Sequence, residues 1–377
     1  MFGFKQYSVL TEAVAARGIP HIAHPSESAF KDKKAVNAAL STIQGVASGR
    51  IPASRKIDDR MSFHAIRTPE GKIGVKYKGT GSNYSFSPAE IDKQHGEKEY
   101  IAKPLKAILQ HIGKVLPDKA GEYQGGFLST PDTRSEEDGK ISHTPNTIKY
   151  AVDRNSAEGK KLAKSKVSIA LHTRIAKSGK PSPLDYNDLK SHPDIHVMSH
   201  QVTPEEQKID PDKKRQALKH IGSAKELMRD HSFEHHVGHS ETLTRYANST
   251  VDTGEAPSVA GYKEFLNKYH NKRIDSVKTE KAKAQKEAEK KAALEHVSNN
   301  AAAFQRTFQI HHHVQKATQA VANGLSDSAG GGYEHSIEGQ KSSGEGFVAK
   351  GLKFVPRAFT AANRARSARF KQQKSVI

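Results

Sequence analysis

The sequence contains no cysteine, and this absence limits the chemistry open to the chain. Without thiols there is no disulfide, no zinc site built on thiolates and no cysteine nucleophile, and the composition fits a reducing compartment. No apolar run approaches the roughly eighteen residues that a membrane helix needs. The N-terminus has no long apolar core of the kind found in secretory signals. We therefore expect an intracellular protein that does not span a membrane.

Apolar residues are also scarce, because hydrophobic types make up 35% of the 377 residues and charged types 27%. One large or two ordinary domains with much solvated surface are expected. Lysine and arginine number 60 against 41 acidic residues, which gives a formal net charge of +19. Such a chain displaces counterions from a phosphate backbone, so we predict a nucleic-acid partner. The alternative is that the charge serves solubility alone.

Hydrophobic periodicity predicts an α+β fold of antiparallel sheets with helices, since strands and helices alternate without a strict βαβ repeat. The chain is predicted to be loop over 129–140 and 176–203. Helices are predicted over 8–17, 34–47 and 101–116, and across 204–323. Strands are predicted over 61–66, 72–78, 121–128, 147–152 and 167–172.

The domain organisation expected from these elements is a core interrupted by a large helical insertion. The core comprises residues 35–203 and 326–358, and the insertion comprises residues 204–325. An N-terminal segment, 1–34, precedes the core, and a basic tail, 359–377, follows it. Within the insertion, an alanine-rich and charged stretch is either a basic arm lying on nucleic acid or a solvated helix stabilised by opposite charges.

Two distant segments carry groups suited to catalysis. Arg55–Arg60 reads Arg-Lys-Ile-Asp-Asp-Arg, and Glu345–Lys350 reads Glu-Gly-Phe-Val-Ala-Lys. A lysine amine acts as a nucleophile when its surroundings lower its pKa. Period-two alternation places Lys56 and Asp58 on the same side of an extended backbone. Together the two segments are predicted to form the floor and wall of one nucleotide pocket.

Lys56-Ile57-Asp58-Asp59-Arg60 resembles the first motif, Lys-x-Asp-Gly, of the lysine-adenylating nucleotidyltransferases. These enzymes are the ATP-dependent DNA and RNA ligases and the capping enzymes. Residues 345–350 resemble their fourth motif, Glu-Gly-x-Val-x-Lys, and Lys353 resembles a residue of the fifth. Residues 123–128 fall where the third motif is expected, and 146–152 resemble the segment that places an aromatic ring on adenine. The order of motifs also resembles ligase-like proteins of tailed phages, which would act in the host cytoplasm.

The resemblance implies two sheets gripping a nucleotide and an enzyme that forms lysyl-AMP from ATP and then seals DNA or RNA strands. It implies catalytic roles for four residues: Lys56, Asp58, Lys350 and Lys353. It implies that ATP is bound with the help of Arg55, Arg60, Tyr150 and Arg357. Alternation along the predicted strand 72–78 places Lys76 and Lys78 on one face, where they either contact phosphates of the bound nucleotide or form a solvated strand face. It implies that Mg²⁺ is held by carboxylates among Glu345, Asp59 and Glu122.

Two positions depart from the family pattern. Asp59 stands where the first motif has glycine, and Gly126 stands where the third motif has an acid. One hypothesis is that Asp59 or Glu122 supplies the missing metal-binding carboxylate. The alternative is a catalytically inactive nucleic-acid-binding protein of a virion or replication complex. A third possibility is a helical scaffold for protein partners, built on residues 204–323.

Histidines recur in the insertion. His231, His235 and His239 are spaced at i, i+4 and i+8, a spacing that can hold zinc on one face of a helix. The string His-Glu-x-x-His of a metalloprotease is absent. These histidines are therefore either metal ligands or part of a polar helix face.

Overall fold

A computed structural model of the chain describes residues 22–78, 83–176, 178–253, 255–329, 331–356, 359–363 and 365. The predicted helix over 8–17, Arg357 and most of the predicted basic tail lie outside the described residues. No helix within the described ranges combines the length and apolar character needed to cross a membrane.

The fold is α+β, as predicted. The α-helices of the described chain are α1 (Lys33–Ala47), α2 (Pro88–His95), α3 (Glu99–His111), α4 (Ala157–Lys164), α5 (Pro211–Leu227), α6 (Ser240–Thr253), α7 (Val259–Asp275), α8 (Glu280–Asn299) and α9 (Ala301–Ser328). The strands are β1 (Ser54–Arg55), β2 (Met61–Arg67), β3 (Ile73–Tyr77), β4 (Gly121–Ser129), β5 (Arg134–Glu137), β6 (Lys140–His143), β7 (Lys149–Asp153), β8 (Val167–Ile175), β9 (Pro181–Pro183), β10 (Ile195–Val197), β11 (Glu334–Ile337), β12 (Gln340–Lys341), β13 (Phe347–Ala349) and β14 (Leu352–Phe354).

The chain divides into two compact units. Of the described residues, the sheet unit contains residue 22 and those within 52–207 and 326–351. The helical unit contains the described residues within 23–51, 208–325 and 352–365. Helix α1 therefore belongs with the helices that follow residue 207, although it precedes the sheets in sequence.

A six-stranded sheet is the larger sheet among the described residues of the sheet unit. Its strand order is β10-β8-β4-β2-β3, and β9 pairs with β8. The β8–β10 pair is parallel and the other pairs are antiparallel. Alternate residues of β2 are buried against α3, whose apolar stripe includes Ile101, Leu105 and Ile108. The opposite face of this sheet, called the polar sheet face below, carries the polar side chains of Ser62, His64, Lys76 and Glu122.

A five-stranded antiparallel sheet, in the order β12-β11-β7-β6-β5, forms the second sheet of the described sheet unit. Strand β1 pairs separately with β13, and Arg55 lies opposite Phe347. The segment between β1 and β2 carries the predicted nucleophile. Residues of this segment form hydrogen bonds with both the five-stranded and the six-stranded sheet.

Local sequence signals explain several boundaries. The Asp32 side chain accepts a hydrogen bond from the N–H of Ala35 at 2.6 Å and so caps α1. The N–H of Gly71 donates to the carbonyl of Thr68 at 2.9 Å and closes the predicted β2–β3 turn. Gly71 has a φ of +83°, which glycine adopts without steric cost.

Three stretches differ from the prediction. Residues 129–140 contain β5, and residues 176–203 contain β9 and β10, so neither stretch is only loop. These strands have three or four residues, too few to show an alternating pattern. Pairing stabilises them: β9 and β10 pair with the longer β8, and β5 pairs with β6. The predicted charged helix is interrupted after α7, where Thr279 caps the start of α8. Lysines of α8 pair with glutamates of the same helix, which supports the solvated-helix interpretation.

Candidate functional site

Lys56 and Glu345 meet in the sheet unit although 289 residues separate them. The β1–β13 pairing continues into this region, because the N–H of Lys56 donates to the carbonyl of Gly346 at 2.8 Å. The Lys56 Nζ donates to Glu345 Oε1 and forms an ion pair. The first and fourth predicted motifs are therefore brought side to side by backbone pairing.

Glu345 has an unfilled hydrogen-bonding position. Its side chain is 12% exposed. Its buried Oε2 has no hydrogen-bond partner among the described residues. Burial raises the pKa of this carboxyl, Lys56 opposes the shift, and the nearby Asp58 and Asp59 add to it. A buried carboxylate oxygen without a partner costs free energy, so this oxygen is suited to a cation or a donor from a ligand.

Asp58 holds the fold of the segment together. Its buried carboxylate accepts hydrogen bonds from Asn146 Nδ2 at 2.9 Å, from the N–H of Thr147 at 2.6 Å and from the N–H of Ile148 at 3.0 Å. Its own N–H donates to the Tyr150 hydroxyl at 2.8 Å. The predicted catalytic Asp58 is thus fully occupied in joining the Lys56 segment to the strand β7 region.

Asp59 occupies the space that a side chain at position 126 would need. A Cβ atom added to Gly126 would overlap the Asp59 side chain and lie 2.6 Å from its Cγ. Ser62 donates to Asp59 Oδ2 at 3.1 Å. Burial raises the pKa of Asp59, whereas that hydrogen bond and the charge of Lys56 lower it. The two positions that depart from the ligase pattern are therefore in contact, because the Asp59 side chain occupies the space that a side chain at position 126 would fill.

Glu122, the alternative source of a carboxylate, is already paired. His64 Nδ1 lies 2.9 Å from Glu122 Oε1, and Lys76 Nζ lies 3.6 Å from the same atom. The hydrogen bond from His64 lowers the pKa of Glu122 to about 2, and Lys76 contributes to the shift. Lys76 also lies over the Tyr84 ring, 4.5 Å from its centroid. Asp59 and Glu122 were the two carboxylates predicted to replace the acid of the third motif. Asp59 is the better placed of the two, because Glu122 is already paired with His64 and Lys76.

Arg55 is committed to internal contacts. Its Nε donates to the carbonyl of Ala329 at 2.7 Å, and its two terminal nitrogens donate to the Gln201 carbonyl and to Glu206. Burial lowers the pKa of Arg55, and Glu206 opposes this shift. The guanidinium anchors β1, so its predicted role in nucleotide binding would require contacts to be exchanged.

Tyr150 is buried, with 2% of its surface exposed. The His335 ring packs edge-on against it, with the ring centroids 5.2 Å apart. A nucleobase reaches this ring only if its neighbours move.

The cavity beside Lys56 is small in this conformation. It has a volume of about 20 Å³ and is lined by residues that include Arg55, Tyr150, Met198, His335 and Glu345. A cavity holds one water molecule at about 10–15 Å³, so this one has room for a water and not for a nucleotide. Nucleotide entry therefore requires the surrounding loops to open.

The remaining predicted residues are more dispersed. Lys350 is exposed, in a turn where its φ is +45°. Arg60 is exposed, and its backbone N–H donates to the carbonyl of Phe127 at 3.0 Å. Lys353 belongs to the helical unit, where its N–H donates to the carbonyl of Ala23 at 3.0 Å. Among the predicted residues of the described sheet unit, ion pairs thus form between Lys56 and Glu345 and between Lys76 and Glu122.

Two residues of the polar sheet face were missing from the predicted site. Lys78 follows β3, and burial lowers its pKa. His172 is in β8, and desolvation lowers its pKa to about 3, with His200, Lys78 and Lys56 acting in the same direction. The alternation of Lys76 and Lys78 on one strand indicated Lys78. No local signal indicated His172, whose position depends on a register shift between β4 and β8.

The predicted helical array of histidines is wrong in geometry. His235 lies in a short 3₁₀ turn, and α6 begins only at Ser240, after His239. Gly238, with a φ of +83°, turns the chain between them. His231 and His235 each bond to Thr307 Oγ1 at 3.0 Å. Within the described ranges, no group of three or more histidine or acidic side chains is arranged to hold a metal ion.

Comparison with known families gives a match over most of the chain. A model described as a family of unknown function (DUF6267) matches residues 82–367. The chain belongs to the DUF6267 family. The DUF6267 match includes Gly126 and Glu345 and begins after Lys56, Asp59 and Lys78. Comparisons with curated proteins and with solved structures gave no match.

Proposed function

We propose that this DUF6267 protein is a nucleotidyltransferase that forms lysyl-AMP on Lys56 and transfers AMP to a nucleic-acid end. The observation that carries the proposal is the Lys56–Glu345 pair with its unpartnered carboxylate oxygen. An ordinary surface ion pair leaves both groups solvated and contributes little. Here the carboxylate is buried, and one of its oxygens has no hydrogen-bond partner among the described residues, which is typical of a site that binds a ligand.

In the first step, the neutral amine of Lys56 attacks the α-phosphorus of ATP. An N–P bond forms, the bond from the α-phosphorus to the bridging oxygen breaks, and pyrophosphate leaves with the electron pair. Glu345 Oε1, which accepts the hydrogen bond from Lys56, takes one proton from the ammonium to give the neutral amine and a second from the nitrogen as the N–P bond forms, and it passes each proton to solvent. Phosphoryl transfer depends mainly on positioning and charge neutralisation, and the backbone bond from Lys56 to Gly346 supplies positioning.

In the next steps, a terminal 5′-phosphate oxygen attacks the AMP phosphorus and the N–P bond breaks, so that Lys56 regains a proton. A 3′-hydroxyl then displaces AMP and seals the strand. A formal net charge of +19 supports a nucleic-acid substrate, because lysine and arginine neutralise backbone phosphates. Phosphate contacts from Lys350 and Lys353 remain expectations from the family resemblance.

The residues present fit Mg²⁺, which binds proteins through one or two carboxylates together with substrate phosphates. Asp59 and the unpartnered Oε2 of Glu345 would hold it. When bound, the ion would neutralise charge on the phosphate oxygens. Glu122 is a weaker candidate, because His64 and Lys76 already compensate its charge.

A catalytically inactive nucleic-acid-binding protein is the second candidate. The cavity of about 20 Å³ beside Lys56 favours it, as do the internal contacts of Arg55 and Tyr150. In this alternative the Lys56–Glu345 pair serves only to join β1 to β13.

Incubation with α-labelled ATP and Mg²⁺ separates the candidates. The enzyme should retain label through denaturation, and Lys56→Ala should abolish it. Glu345→Gln should slow labelling, because it removes the proton acceptor. A matched control, Lys72→Ala, changes an exposed lysine in the β2–β3 turn and should label normally.

An unlabelled wild-type protein that binds DNA or RNA with salt-sensitive affinity would support the inactive binder. Loss of label in Lys72→Ala as well as in Lys56→Ala would contradict attack by Lys56. Absence of both labelling and nucleic-acid binding would favour a helical scaffold.

A further inference from the structure

Lys78 lies on the polar face of the six-stranded sheet. Its N–H donates to the carbonyl of Ser62 at 3.1 Å, which extends the β3–β2 pairing by one residue. Ser62 in turn lies opposite Gly126 on β4. Residues opposite each other on neighbouring strands project to the same face. Lys78, Ser62 and Gly126 thus form one row, and Asp59 covers the Ser62–Gly126 end of it.

Lys78 is half-buried, and the positive charge of its ammonium group is not balanced by a neighbouring carboxylate as that of Lys76 is. No carboxylate of the described residues lies within 4.0 Å of it, whereas Lys76 on the same strand has Glu122. Burial lowers the pKa of Lys78, the charge of Asp59 raises it, and Lys56 adds to the lowering. A desolvated cation of this kind gains most from a ligand that brings negative charge.

The neighbours of Lys78 favour a polyanion. A second cation, Lys56, lies near enough to lower the pKa of Lys78, and it also forms an ion pair with Glu345. Ser62 donates a hydrogen bond to the nearby carboxylate of Asp59. His172, with a pKa lowered to about 3, is a neutral imidazole at physiological pH and does not repel an anion. Two lysines near one another suit the several charged oxygens of a phosphoanhydride better than a single carboxylate.

We propose that Lys78 binds the phosphoanhydride oxygens of the substrate, namely the β- and γ-phosphates of a nucleoside triphosphate and the pyrophosphate that leaves. The proposal rests on the proposed nucleotide site but does not require that Lys56 become adenylated. Lys78 would neutralise the negative charge on these oxygens, which increases as pyrophosphate leaves. It would therefore favour both binding and the loss of pyrophosphate.

The direct test is a calorimetric titration of the full chain with sodium pyrophosphate, without nucleotide. Lys78→Met should weaken binding about tenfold or more, as expected for the loss of one charge-assisted hydrogen bond. Lys78→Arg keeps the charge and should bind within about threefold of wild type. Lys72→Met, at the exposed turn of the same hairpin, is the control and should bind normally.

The inference is overturned if wild type does not bind pyrophosphate at millimolar concentration, or if Lys78→Met binds as wild type does. Equal weakening in Lys72→Met would show a general charge effect and would overturn it too. Far-UV circular dichroism checks that each variant is folded, and Lys78→Arg provides the comparison if Lys78→Met is not. Pyrophosphate binding that depends on Lys78 in a protein that never labels Lys56 would uphold this inference and reject the proposed enzyme. Labelling of Lys56, together with an unchanged KM for ATP in Lys78→Met, would support the proposed enzyme and reject this inference.

Discussion

The Asp59–Gly126 arrangement makes a quantitative prediction for Gly126→Ala. The new methyl group would lie 2.6 Å from Asp59 Cγ, where ordinary contacts begin at 3.4 Å. Asp59 must therefore retreat by about 1 Å, yet its chain neighbours are fixed by the bonds of Asp58 and by the bond from Arg60 to Phe127. Overpacking costs about 1–3 kcal/mol. Loss of the Ser62 hydrogen bond adds about 1 kcal/mol. We expect unfolding of this region to become easier by about 2–4 kcal/mol.

A second substitution should reverse the effect. Asp59→Gly places at position 59 the glycine of the ligase first motif that this segment resembles. It also removes the atoms that collide with the methyl group. The double variant should recover about 1–3 kcal/mol relative to the sum of the single changes. The neighbouring Gly125→Ala provides a matched control. Its methyl group would collide with the backbone carbonyl of Ala170 and with Leu171, so Asp59→Gly should not rescue it.

Amide hydrogen exchange of peptides from β2 and β4 is the suitable assay, because α-helices would dominate circular dichroism of the whole chain. The opening free energy is compared among wild type, the single variants and the double variants. The reasoning is refuted if Gly126→Ala exchanges like wild type. It is refuted equally if Asp59→Gly rescues Gly125→Ala as well as it rescues Gly126→Ala.

Two other predictions concern buried polar groups. Asp58→Ala leaves the N–H groups of Thr147 and Ile148 without their acceptor, so opening of this region should become easier by about 3 kcal/mol, measured by hydrogen exchange. Unchanged exchange there would contradict a structural role for Asp58. The helical unit should lose stability below about pH 6.5, because burial lowers the pKa of His231 and His235 to about 4 and the unfolded chain binds protons that the folded chain does not. Urea midpoints by circular dichroism should fall from pH 7.5 to pH 5, and replacing both histidines by glutamine should flatten this dependence. Equal midpoints at the two pH values in wild type would rule the explanation out.

The histidines show where spacing misleads. His231, His235 and His239 have the spacing of one helix face, but Gly238 and a 3₁₀ turn interrupt the helix they would need. His231 and His235 nevertheless lie close together, because both bond to Thr307 and their rings pack against each other. The spacing thus predicted that these histidines share one face of a helix, and the backbone does not form that helix. A glycine between closely spaced histidines was the available warning.

Strand residues show the opposite case. Phe347, Val348 and Ala349 alternate between buried and partly exposed, as in a strand, and β2 and β3 form where strands were predicted over 61–66 and 72–78. These features depend on local period and turn chemistry, which the chain carries in a few consecutive residues. The short strands β9 and β10 were not predicted, because pairing with β8 stabilises them more than their own composition does.

By itself, the amino-acid sequence determined the α+β class, the main strands and helices, the positive charge and the two motifs that contain Lys56 and Glu345. Tertiary structure alone decided that these two side chains meet and that Asp59 fills the space over Gly126. It also decided that, within the part of the chain that the structure describes, Lys76 has a carboxylate partner and Lys78 has none within 4.0 Å. The physical reason is that local periodicity determines which face a residue occupies. Its partner on that face comes from another strand, through register and backbone pairing across long separations in the chain.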